Sequence, residues 1–136
     1  KYIDTGKAKF VYRDFPLDIH PMAVPTALAS QCANEQGKFW QYHDKVFEEQ
    51  DKLGPGTIQY TLNDLKQWAK EIGLNVAQFN SCLDSGKYTQ EIEKDLQDGI
   101  AAGVTGSPGS FINGRQIKGA VPFAQFEKII EEELKK

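Results

Sequence analysis

The spacing of hydrophobic positions changes period twice along this chain. Lys7 to Arg13 reads KAKFVYR, with Phe10 and Tyr12 on one face and Val11 on the other, the alternation of a strand. Asp14-Phe15-Pro16 ends it. From His20 the period lengthens to that of a helix for about eighty residues. Met22 to Gln36 predicts a helix in which Ala23, Ala27, Ala29 and Ala33 allow close packing, and Pro25 fits only in its first turn. Phe39, Tyr42, His43, Val46 and Phe47 recur at i, i+3, i+4, i+7 and i+8, an amphipathic stripe. Gly54-Pro55-Gly56 reads as a loop, and Thr61 as the cap of a helix that buries Leu62, Leu65, Trp68, Ala69 and Ile72 before Gly73 ends it. Asn75 with Gln78 predicts a capping box ahead of Val76, Phe79, Cys82 and Leu83. A further helix over 89–102 turns Ile92, Leu96 and Ile100 inward. The short period then returns. Ser110–Ile112 and Arg115–Lys118 flank Asn113-Gly114, two residues that tolerate the positive φ of a type I′ hairpin turn. A last helix from Pro122 presents Phe126, Ile129, Ile130 and Leu134 to the interior and leaves Glu131–Glu133 to solvent.

Strand, helical block, hairpin and helix, in that order, predict an α/β layered domain with a helical insertion. The three strands are few for 136 residues, a length that suits one domain with one core. There is no internal repeat, linker or low-complexity segment. A net charge of −3 provides no basic field for a phosphate backbone, which weighs against nucleic acid. No apolar run approaches the roughly 18 residues of a membrane span. The chain starts Lys-Tyr-Ile-Asp, without an initiator Met or a signal-peptide pattern, and is expected to be a mature chain or a fragment.

Few residues carry obvious chemistry. Cys32 and Cys82 sit on apolar helix faces, without the exposed electropositive setting that lowers a thiol pKa. They read as a structural disulfide or as two buried thiols, not as a catalytic pair. If they are bridged, closing a loop of this size contributes about 4 kcal/mol. His20 and His43 are the only histidines; His43 lies on the apolar stripe and reads as a hydrogen-bonded core residue. The His and Cys spacings match no standard zinc pattern, so no metal is expected. The chain contains no Walker loop, nucleophile elbow or dinucleotide fingerprint. Lys38-Phe39-Trp40 falls at helical spacing and reads as core. Ser107-Pro108 runs into the first hairpin strand. The bond before Pro108 is either trans, simply opening a strand, or cis; in the functional reading Ser107 offers its backbone to an extended peptide.

Four ordered motifs then combine. KFVYRDFPLDIHPMA over 9–23, EQGKFWQYHDKVF over 35–47, SCLDSGKY over 81–88 and GSPGSFINGR over 106–115, with Gly119 and Pro122, resemble the DsbA-like family of thioredoxin-fold thiol:disulfide oxidoreductases. The resemblance covers nearly the whole chain and is closest to the bacterial secreted or membrane-anchored branch. It implies a thioredoxin-like α/β fold, with 1–19 and 104–136 as the thioredoxin-like part and 20–103 as an inserted helical subdomain. Pro108 matches the family's cis-proline and Ser107 the residue before it; Gly109 replaces a more usual polar residue. The resemblance also implies a structural disulfide between Cys32 and Cys82, a location outside the cytoplasm, no cofactor, and as partners cysteine-containing exported proteins and a redox partner protein. The family's Cys-x-x-Cys, and the central strand that carries it, have no counterpart in these residues and are expected upstream of Lys1. The chain alone is then expected to be inactive and poorly stable as a monomer, with a preceding segment, another chain or a swapped homodimer filling the sheet. A non-catalytic thioredoxin-fold scaffold is the alternative from another class. A glutathione-dependent enzyme on the same fold is a third, with no residue that points to it.

Overall fold

A computed structural model describes residues 1–56 and 59–136. Five helices come first: α1 (Ala23–Glu35), α2 (Phe39–Leu53), α3 (Leu62–Glu71), α4 (Val76–Ser85) and α5 (Thr89–Ala101). The strands β1 (Gly109–Ile112) and β2 (Arg115–Lys118) and the helix α6 (Phe123–Glu133) follow.

α1 packs against α2, α3, α4 and α5 at the centre of the helical block. Its small residues make that possible: Ala29, Cys32 and Ala33 are buried at the contacts. Tyr42 of α2, Leu65 of α3 and Phe79 of α4 fill the space around it and are fully buried. Each such side chain contributes roughly 1.5–3 kcal/mol by leaving water. The Tyr42 hydroxyl donates to the Leu65 carbonyl at 2.9 Å, so its one polar atom is satisfied inside the core. Cys32 and Cys82 are joined by a disulfide across 50 positions, which ties α1 to α4 within that core.

Local chemistry sets the helix ends. Thr61 and Asp64 form a full capping box at the start of α3. At α4 only half of the expected box exists: Asn75 Oδ1 accepts from the Gln78 amide, while the Gln78 side chain donates to Glu35 on α1. Lys38 donates to the Ile72 and Gly73 carbonyls, a cation at the C-terminal end of α3 where the dipole favours one.

Lys7 to Arg13 has no regular secondary structure and is not the expected strand. Among the described residues Lys9, Phe10, Val11 and Tyr12 make no backbone hydrogen bond, and a strand exists only through a partner ladder. The alternation still governs packing. Phe10 stacks on Trp40 at 5.4 Å and Tyr12 lies 5.3 Å from Phe39, while Val11, on the other face, is 60% exposed. Trp40, expected in the core, is half exposed for the same reason. The α2 stripe has two edges. Tyr42 and Val46 enter the helical core, whereas Phe39, His43 and Phe47 join Trp40 and the exposed run 10–12.

The hairpin pairs Gly109 with Lys118, Ser110 with Ile117, Phe111 with Gln116 and Ile112 with Arg115. Asn113 and Gly114 have φ of 47° and 85°, as the type I′ turn requires. α6 buries no residue completely: Phe126, Ile129 and Ile130 are half-buried, and polar contacts add to them. Glu131–Glu133, expected to face solvent, supply these contacts. Tyr2 donates to Glu131 at 2.6 Å, Arg115 to Glu132 at 2.7 Å, and Asn113 to Glu133 at 3.3 Å. Leu134 is exposed, as is Ile100 of α5, both expected inward.

Candidate substrate-binding loop

The loop between α5 and β1 is shaped by both of its neighbours. α5 ends in a Schellman motif: Val104 donates to the Gly99 carbonyl at 2.9 Å and Gly103 to the Ile100 carbonyl at 3.0 Å. Gly103 has a φ of +84°, which a residue with a Cβ rarely adopts. That turn throws Val104 back over Gly109. A Cβ at Gly109 would lie 3.1 Å from Val104 Cγ1, so glycine lets the loop close on itself.

The Ser107–Pro108 peptide bond is cis. Two ties hold the loop against β2. Gly119 donates its backbone N–H to the Pro108 carbonyl at 3.0 Å, and the Gln116 side chain donates to the Gly103 carbonyl at 3.2 Å. Between them lies a cavity of about 150 Å³, walled by residues 104–109 with Gln116, Lys118 and Gly119. Ser107, Pro108 and Gly109 are exposed, and among the described residues β1 has a neighbour on one side only. An exposed loop that bends into a strand edge with no second neighbour among the described residues can accept a further strand.

The other candidates lie elsewhere in the fold. Cys32 and Cys82 are buried in the helical block, bonded to each other, and no free thiol remains in the chain. His43 sits among Tyr12, Phe39, Trp40 and Phe47, with Nδ1 3.0 Å from Asp44 Oδ1. His20 is exposed. Among the described residues no three His, Cys, Asp or Glu side chains gather as a metal site. Asp14 was not singled out from sequence, yet it is the most buried carboxylate, 4% exposed. Burial raises its pKa, and the Gln31 amide, donating at 2.8 Å, opposes that rise. Arg13, next to it, turns instead to Asp95 and Asp98 of α5. Lys118, Gln116 and Gly119 were also missed as parts of the loop's surroundings. The hairpin register would have shown them, because an Asn113-Gly114 turn places Lys118 opposite Gly109.

A family model described as thioredoxin matches residues 1–132. The chain belongs to the thioredoxin family. The six helices and small antiparallel sheet among the described residues are a thioredoxin-like α/β fold. This thioredoxin-family chain is 33% identical over 118 residues to the Na(+)/H(+) antiporter NhaA 3 of Salinispora tropica, covering 86% of the chain and 17% of that protein. It is 32% identical over 123 residues to the Na(+)/H(+) antiporter NhaA of Herminiimonas arsenicoxydans, covering 90% and 18%. With NhaA 1 of Mycolicibacterium vanbaalenii the identity is 31% over 125 residues, covering 90% and 19%. The chain spans less than a fifth of the length of these relatives. Among the described residues no helix is long and apolar enough to cross a membrane.

Proposed function

We propose that this chain is the substrate-binding portion of a DsbA-like thiol:disulfide oxidoreductase that forms or rearranges disulfides in exported proteins. The observation that carries the reading is the exposed Ser107–Pro108 backbone running into a β1 edge with no partner among the described residues, in a chain of the thioredoxin family. An extended stretch of substrate lies along Ser107 and places its sulfur beside the loop. Both cysteines of the chain are committed to the Cys32–Cys82 bridge, so the exchanging thiols come from outside these 136 residues. In the oxidising direction a substrate thiolate attacks one sulfur of that external disulfide. A mixed disulfide forms and the second external sulfur leaves as thiolate. The substrate's other thiolate then attacks the substrate sulfur of the mixed disulfide. The substrate gains its disulfide, two electrons pass to the external pair, and a redox partner protein reoxidises it.

The Cys32–Cys82 bridge suits an oxidising compartment, which favours the periplasm, the cell surface or the medium. Relatives named as Na(+)/H(+) antiporters make a membrane-anchored whole protein part of the proposal. Insulin reduction and the refolding of scrambled ribonuclease test the assignment. The 136-residue chain alone is expected to show no turnover, and turnover by it would refute the external-thiol reading.

A second reading rests on a different observation. Phe10, Val11 and Tyr12 are exposed along a run whose backbone has no hydrogen-bond partner among the described residues, and Phe111 and Phe123 are exposed as well. Here the chain is a non-catalytic binding or scaffold module, completed by a second copy or by a partner strand. Size-exclusion chromatography with light scattering separates the two: a swapped dimer favours this reading, and a stable monomer opposes it.

A further inference from the structure

We infer that Lys118 makes the cavity beside Ser107 a carboxylate subsite, selecting substrates with an acidic residue next to the sulfur that docks on the loop. The inference rests on the reading of Ser107–Pro108 as a peptide-binding loop and adds the chemical class of substrate.

The hairpin register sets the geometry. Residues alternate between the two faces of β2, so Gln116 and Lys118 share a face, with buried Ile117 on the other. The residue opposite Lys118 is Gly109, which has no side chain to cover it. Lys118 therefore meets the loop across a residue with no side chain of its own, over which Val104 packs, and it lines the cavity with Val104, Thr105, Ser107 and Gln116.

The cations of this chain divide into those with a carboxylate partner and those without one, and among the described residues Lys118 is in the second group together with Lys7, Lys9, Lys38, Lys70, Lys128 and Lys135. Arg115, three residues earlier on the same strand, is bound to Glu132 and Glu133, and Lys1, Lys45, Lys52, Lys66, Lys87 and Lys94 all have carboxylate partners. Among the described residues Lys118 forms no ion pair, and no Asp or Glu lines the cavity. A polypeptide of net charge −3 thus holds one uncompensated cation beside its candidate binding loop.

The donors define the ligand. An ammonium provides three N–H donors and no acceptor, and the Thr105 and Ser107 hydroxyls can donate as well. The matching group is small, acceptor-only and singly charged, which is a side-chain carboxylate. Phosphate, a dianion, would meet one cation and no arginine fork. A cavity of about 150 Å³ is roughly ten times what one water occupies and admits an Asp or Glu side chain. In a strand laid along the loop alternate side chains fall on one side, so one residue near the docked sulfur can reach the cavity.

Three pentapeptides test this, acetyl-Ala-Ala-Ser-X-Ala-amide with X as Asp, Asn or Lys, titrated into the ¹⁵N-labelled 136-residue chain. The readout is the amide shifts of 104–109 and 116–119. At low salt the Asp peptide is expected to bind roughly threefold more tightly than the Asn peptide, the scale of one exposed ion pair, and the Lys peptide more weakly still. The preference should vanish in Lys118→Ala, reverse in Lys118→Glu, survive in Lys118→Arg and shrink in about 0.5 M NaCl. An Asp preference that persists in Lys118→Ala overturns the subsite. Equal binding of all three peptides to the native chain overturns the subsite and leaves the peptide-binding loop standing. Shifts from none of them overturn the loop reading and the subsite together.

Discussion

Removing the Cys32–Cys82 bridge tests how the helical block is held together. The perturbation is the double substitution Cys32→Ala with Cys82→Ala. The bridge spans 50 positions. In the chain-entropy model, releasing a loop of that size returns about 4 kcal/mol of freedom to the unfolded chain. The two lost sulfurs also leave space among Ala33, Phe79 and Leu83, and core voids add to the cost. Small domains are typically stable by about 5–15 kcal/mol, so the bridge decides a large share of the total. For a chain between the sizes where 1 kcal/mol moves Tm by about 2–4 °C and by about 4–8 °C, the expected drop is about 16 °C.

Thermal unfolding followed by far-UV circular dichroism measures it. The oxidised native chain, the native chain in reductant and the double variant are compared, with mass after thiol alkylation fixing the redox state. The last two should melt near each other, both far below the first. Cys32→Ala alone should be no better than the double variant, because it opens the same loop and leaves an unpaired thiol in the core. A drop under about 4 °C with both thiols shown to be reduced would refute the reasoning: the α1–α4 contact would then be held by packing alone.

Gly99→Ala should destabilise by roughly 1–3 kcal/mol in urea unfolding, because its Cβ would lie 2.7 and 2.8 Å from the Phe15 ring; that overpacking outweighs the 0.5–1 kcal/mol of helix propensity gained, and a more stable variant would refute the contact. Asp14 has its pKa raised above the ordinary 3.8 by burial, so its contribution to stability is fully present below about pH 3.8 and is lost as pH rises through the folded value. Asp14→Asn should therefore gain on the native chain between pH 4 and pH 7 in urea unfolding, and a gain in the opposite direction would exclude a destabilising carboxylate. Glu35 is held down to about 2 by Lys87, Gln78 and Tyr88, so its ¹³C carboxyl signal should titrate well below 4.5 and move up in Lys87→Met. Its contribution is present above pH 4.5 and is lost as pH falls toward 2; an unchanged midpoint in the variant would remove Lys87 as the cause.

The helical block was legible because it closes on itself. The Tyr42, Leu65, Trp68 and Phe79 positions follow from a 3.6-residue period, and their partners are on neighbouring helices within the same hundred residues. Thr61 and Gly73 marked the ends of α3 through chemistry that acts over one turn. Lys7–Arg13 failed as a strand for the opposite reason. Its alternation correctly put Phe10 and Tyr12 on one face, against Trp40 and Phe39, but a ladder is a property of two segments and one period cannot report whether the other is there. Glu131–Glu133 failed because helical periodicity reads hydrophobic faces only. To the half-buried apolar face of α6 the structure adds polar contacts from Tyr2, Arg115 and Asn113, all outside the helix and invisible to its own period.

The candidate loop divides along the same line. Ser107, Pro108, Asn113 and Gly114 are legible because each residue type restricts its own backbone. Gly109 read only as a departure from a pattern until its neighbours were placed. Its missing side chain makes room for Val104, brought there by the Schellman turn at Gly103, and leaves Lys118 with no side chain at its partner position in the hairpin. These two consequences are coupled. Any residue larger than glycine at 109 must displace Val104 and must also stand in front of Lys118. The shape of the loop and the charge offered beside it therefore depend on the same missing Cβ, and a change at 109 should alter peptide affinity and charge preference together.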